Sequence, residues 1–148
     1  HPPLVAPLPR WPELHVVVAT PQVAWHDQTV KHALPRDVPT MKHVRQSAVS
    51  AAVKHALHER NASLLRDVWE DALVGDAVGP RTTGFFPAQR AALDAGALAF
   101  GLCGAGPTVA ALALGDDATR VADAIEAVLR AHALACCVDV RGVAELRD

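Results

Sequence analysis

Two periods of apolar and polar positions run along this chain. Leu14 to Thr20 is a β-branched, apolar run and predicts a buried strand, which Pro21 stops. Residues 22 to 34 are polar and mixed, with a short helix ending at Leu34-Pro35. From Thr40 to about Arg60 the period becomes helical. Val44, Ala48, Ala51 or Ala52, and His55 form one stripe, and Val49, Val53, Ala56 and Leu57 a second. Two stripes predict a helix packed on both sides. Thr40 is its expected cap, and Asn61 is expected to close it in a left-handed conformation. Ser63 should cap a second helix to about Val74, with Leu64, Leu65, Val68, Trp69 and Leu73 buried and Gly75 at its end.

Residues 75 to 84 read as a Gly-rich loop carrying Pro80 and Arg81. Gly84-Phe85 lead into a helix to about Ala95, with Phe85, Ala88, Ala92 and Leu93 near one face and Gly96 just past its end. Two short apolar runs follow, Leu98 to Cys103 and Thr108 to Leu114, joined by Gly104-Ala105-Gly106-Pro107. Strand, glycine turn, strand is the simplest reading. Gly104 and Gly106 can adopt positive φ, and Pro107 fixes the exit without donating a hydrogen bond. Free N–H groups in such a turn can hold an anion, and the same turn also serves plain tight packing. Asp116 or Asp117 should cap a last helix with Val121, Ala124, Ile125, Val128 and Leu129 as its stripe, before a final strand at Leu134 to Val140.

Strand, helices, helix, strand, strand, helix, strand predicts an α+β layer: an antiparallel sheet with helices on one face. A ferredoxin-like arrangement with an inserted helical pair fits this order. Residues 1–13, with five prolines in the first 12, form a Pro-rich arm, and residues 14–148 form one domain. His1 is no initiator residue, so the chain is expected to be a piece of something longer.

The formal net charge of −2 gives no reason to expect nucleic acid or an anionic membrane as partner. No apolar run reaches membrane length, and the start does not read as a signal peptide. Cys103, Cys136 and Cys137 do not make a disulfide framework, and buried free thiols in a reducing cytoplasm are expected. Cys136 and Cys137 should point to opposite faces of their strand. His55 and His58 sit three apart on one helix, but nothing at metal-ligand spacing completes a site, so no metal is assigned.

Gly101-Leu-Cys-Gly104-Ala-Gly106-Pro107-Thr108 resembles the third, C-terminal motif of the GHMP small-molecule kinases, with departures at Leu102 and Cys103. Within that superfamily the chain is most similar to the homoserine kinases. Val16 to Pro21, Leu34-Pro35, Arg45-Gln46, Ala51-Ala52, His55-Ala56-Leu57, Gly84-Phe85 and Ala95-Gly96-Ala97 extend the resemblance along nearly the whole chain. It covers only the C-terminal half of such a kinase. The Gly-rich phosphate loop, the magnesium carboxylate and most nucleotide contacts belong to the other half.

The resemblance implies ATP and Mg2+ as cofactors, both mainly through that N-terminal kinase domain, which is the expected partner. It implies homoserine, or a similar small alcohol, as the substrate and the cytoplasm as the location. Gly104, Ala105, Gly106, Pro107 and Thr108 would support the phosphate loop. Where the family carries Thr and Arg for the amino acid, this chain has Asp27 and Lys31. Lys keeps the charge but loses the bidentate fork, while Asp27 suits an ammonium group. A further family Arg falls at Val78, and Arg81, three residues on, is a substitute. No catalytic residue is assigned to this chain, and alone it is expected to be inactive. A different small alcohol as acceptor, and a non-catalytic α+β module that binds a ligand or forms a homodimer, are the alternatives. The uncovered lobe face favours self-association.

Overall fold

A computed structural model describes residues 8–24, 32–104 and 106–143. Four strands form one antiparallel sheet: β1 (Leu14–Pro21), β2 (Ala99–Leu102), β3 (Val109–Leu114) and β4 (Cys136–Gly142), in the order β2-β3-β1-β4. That order, with β1 in the middle and a helix before β2 and before β4, is the ferredoxin-like α+β layer expected. The described helices are α1 (Thr40–His58), α2 (Ala62–Val68), α3 (Val74–Val78), α4 (Phe85–Asp94) and α5 (Asp117–Ala131), with a 3-10 turn at Gly79–Arg81.

Strand parity divides the sheet into two faces. Val17 and Ala19 of β1, Phe100 of β2, and Val109, Ala111 and Ala113 of β3 pack against α4 and α5. The α5 stripe supplies Val121, Ile125 and Leu129, spaced four apart and almost wholly buried. The alanines on the strands let the two helices sit close to the sheet. Residues of the other parity, Leu14, Leu112 and Leu114, join Trp11, Leu98, Ala56 and Leu65 in a second cluster. The inserted pair α1–α2 therefore covers part of the opposite face. Trp11, in the Pro-rich arm, is buried in this cluster.

The two sheet edges end differently. On β2, the Phe100 carbonyl accepts a 2.8 Å hydrogen bond from the Trp69 indole. On β4, the pairing is with β1 alone among the described residues. Gln22 N–H donates to Ala135 O at 2.7 Å in the β1–β4 register. Antiparallel ladder bonds recur every second residue. Cys137, Asp139 and Arg141 therefore turn their backbone groups toward β1, and Val138, Val140 and Gly142 turn theirs away.

Several local expectations are corrected. The residue before α1 is Pro39, and no side chain caps that end. Only Ala56 of α1 is buried, so the helix is not packed on both sides. Arg60, not Asn61, takes the left-handed conformation. Asn61, not Ser63, caps α2, its Oδ1 accepting from Leu64 N at 2.9 Å. The second helix stops at Val68. Asp71 Oδ1 then accepts from the N–H groups of Leu73 and Val74, starting α3, so Gly75 lies inside a helix instead of ending one. The expected loop at 75–84 is largely helical, with Pro80 near the start of the 3-10 turn, where its missing N–H costs nothing. The cysteines are free, but Cys103 and Cys137 are exposed and Cys136 is half-buried. No described helix is long and apolar enough to cross a membrane.

Candidate functional site

The glycine turn closes the β2–β3 hairpin with two backbone bonds. Cys103 N–H donates to Thr108 O at 2.8 Å, and Gly106 N–H to Cys103 O at 3.0 Å. Gly104 and Gly106 both have positive φ, +57° and +72°, as the turn requires of glycine, and the Gly106–Pro107 bond is cis. Gly106 N–H is thus engaged within the turn and not offered to an anion. At Gly104 a Cβ would meet nothing within 4 Å, so the tip stands in open space. Ala105 lies outside the described residues. Thr108 Oγ1 donates to Thr20 Oγ1 at 3.3 Å, tying the foot of the turn to the end of β1. Partial burial raises the Cys103 thiol above its ordinary value. At Cys136, burial and the nearby Glu126 carboxylate outweigh Arg130 and raise that thiol too.

Beside the turn lies a cavity of about 150 Å³, lined by Pro21, Val23, Ala24, Arg81, Thr82, Thr83, Pro107 and Leu134. It brings Arg81, from the end of the 3-10 turn, to Pro107 of the glycine turn. Arg81 is exposed and its guanidinium donates to Ala77 O at 2.7 Å, which steadies the side chain and leaves further N–H donors. Thr82 is buried, its hydroxyl donating to Val78 O at 3.2 Å. Val78, where the resemblance implied an Arg, is fully buried in the core and cannot reach a ligand. Asp27 and Lys31 lie outside the described residues; Val23 and Ala24, just before them in sequence, line the cavity.

Thr20, Thr83 and Leu134 were not singled out in the sequence. Thr83 adjoins Arg81 and could have been found there. Thr20 and Leu134 become neighbours of the turn only through the β1–β3 and β1–β4 pairings. Among the described residues, no three His, Cys, Asp or Glu side chains come together as metal ligands.

The hairpin, its glycine turn and the two helices behind it are the C-terminal layer of a phosphotransferase fold: the chain belongs to the GHMP kinases, whose C-terminal family model matches residues 51–131. It is similar to a homoserine kinase of Thermus thermophilus, 37% identical over 126 residues, which cover 85% of this chain and 43% of that protein. It is also similar to the homoserine kinase of Pyrobaculum aerophilum, 35% identical over 125 residues, or 82% of this chain and 41% of that one. The crystal structure of homoserine kinase from Cytophaga hutchinsonii superposes with a TM-score of 0.87 at 26% identity, over 91% of this chain and 43% of that one. The chain thus spans less than half the length of these relatives.

Proposed function

We propose that this chain is the substrate-side part of an ATP-dependent small-molecule kinase whose acceptor is homoserine, acting in the cytoplasm on the way to threonine. The observation that carries the reading is the shared cavity: Arg81 and Pro107, the latter from the glycine turn of a GHMP kinase layer, both line it. The named relatives are homoserine kinases.

Phosphoryl transfer needs a triphosphate cradle, a magnesium site and a positioned hydroxyl. In this reading, as the family resemblance implies, the first two are supplied by the N-terminal kinase domain. When bound, the ion would neutralise charge on the phosphates. This chain's part is positioning. The turn 104–108 braces the phosphate loop, held in place by the Thr108–Thr20 hydroxyl bond. Arg81 grips the substrate carboxylate, which its planar fork suits. Buried Val78 explains why the grip falls to Arg81. Lys31 adds positive charge, and Asp27 receives the ammonium group.

The test is an ATP-coupled phosphorylation assay on a chain that includes the N-terminal kinase domain, with homoserine beside threonine, serine and mevalonate. Preference for homoserine is expected. Arg81→Ala should raise KM for homoserine about 10- to 100-fold, the worth of a charge-assisted bond, with a smaller change in kcat. Activity on another alcohol would keep the kinase and discard the substrate. Silence on all four from a folded protein would discard the reading.

A further inference from the structure

We propose that a second cavity, at the start of β2, is a binding site for a small carboxylate with an apolar body. It measures about 220 Å³ and is lined by Arg66, Trp69, Gln89, Leu93, Leu98 and Phe100. None of these residues lines the cavity beside the glycine turn, and Leu98 and Phe100 lie at the end of β2 away from that turn. Three pieces of chain build it. Arg66 stands in the last turn of α2, and Trp69 follows that helix directly. Gln89 and Leu93 are one turn apart on α4 and so share a face. Leu98 and Phe100 come from the chain entering β2.

The lining divides into apolar walls and one positive group. Leu98 and Phe100 are buried, whereas Trp69 and Leu93 are 36% and 42% exposed. The Trp69 indole N–H is taken by Phe100 O at 2.8 Å, so the ring is held in place and offers an occupant its face. Arg66 donates to Gly96 O at 3.3 Å through one terminal nitrogen. That tether steadies a guanidinium that has further N–H donors. The Gln89 side-chain amide makes no hydrogen bond among the described residues. No described Asp or Glu lines the cavity, so nothing on its walls answers the charge of Arg66. A guanidinium fork matches a carboxylate. An indole face beside leucines matches a ring or a branched chain. An apolar cavity of roughly 150 Å³ holds benzene, so this one has room for such a ring with a short acid arm. Phosphate would leave the apolar walls uncovered, and a hydrocarbon would leave the guanidinium unanswered, so neither alone matches the site.

The test is titration of phenylacetate into this chain, followed by the side-chain N–H resonances of Trp69 and Gln89. Saturable shifts at both are expected. Phenylacetamide keeps the shape without the charge, and acetate keeps the charge without the ring. Each should bind about tenfold more weakly or worse. Arg66 is exposed, so Arg66→Gln should leave the circular dichroism unchanged while removing the preference for acid over amide. Leu93→Glu, at a second exposed position, sets a carboxylate at the rim and should weaken phenylacetate more than phenylacetamide. Arg81→Ala, at the other cavity, should leave both affinities as they are. No saturable shift, equal affinity for acid and amide, or a loss on Arg81→Ala with none on Arg66→Gln would each overturn the proposal. The readout needs no turnover, so its outcome stands apart from the kinase reading.

Discussion

α1 and α5 carry similar numbers of apolar positions but do different work. α1 has 19 residues and buries one, Ala56, whereas α5 has 15 and buries five. The α5 stripe is built from branched side chains, and Val121, Ile125 and Leu129 reach into the sheet between alanines. On α1 the large apolar residues Met41 and Val44 are 74% and 54% exposed, and much of the rest of its stripes is alanine. A helix of alanines satisfies a periodicity count without supplying the area that fixes it to a core. Polar ties take over part of that task. Arg45 pairs with Glu70 at 2.8 Å, Lys42 with Asp76 at 3.4 Å, and Gln46 Oε1 accepts from Ala72 N–H at 3.1 Å. Exposed ion pairs of this kind are each worth little.

Substitution can break this contrast. Ile125→Ala should have the largest effect, about 3 to 4 kcal/mol in urea denaturation, because it opens a cavity in the fully buried stripe of α5. Gly96→Ala should come next, at about 1 to 2 kcal/mol. Its φ of +110° disfavours any side chain, and the new Cβ would stand 2.8 Å from Asp117 Oδ2 in the first turn of α5. Asn61→Ala should cost about 1 kcal/mol by removing the cap of α2, a loss visible as a lower denaturation midpoint. Val44→Ala on α1 should stay within about 0.5 kcal/mol. A cost at Val44 approaching that at Ile125 would show that α1 is covered in solution.

Most of the architecture could be read from the chain, for reasons particular residues make plain. The runs at Leu14–Thr20 and Thr108–Leu114 are apolar, short and bounded by Pro or Gly, and each is a strand. Val121, Ile125 and Leu129 predicted the buried face of α5, because branched residues four apart have few other uses. The failures are at helix ends and exposed faces. Ser63 and Asn61 are equally good caps in isolation, and only the chain's exit from α1 through Arg60 decides between them. Gly75 read as a stop because Asp71, which restarts the helix, acts across the break. At the candidate site, the glycine turn and Arg81 stood out by residue type and by resemblance. Thr20 and Leu134 did not, since nothing near them in sequence says which strand end they will share.

Among the described residues, the cavity beside the glycine turn draws its walls from four stretches of chain, residues 21–24, 81–83, 107 and 134. No one of them forms a concave surface by itself, so the cavity exists only in the folded state. Whatever fills it binds native chain and ignores the unfolded ensemble, and thermodynamic linkage then makes the occupant a stabiliser of the entire domain. At a hundred times its dissociation constant, such a molecule would add about 2.7 kcal/mol. Melting curves of this chain, recorded against a panel of amino acids and hydroxy acids, would therefore report occupancy of the cavity in the absence of any turnover.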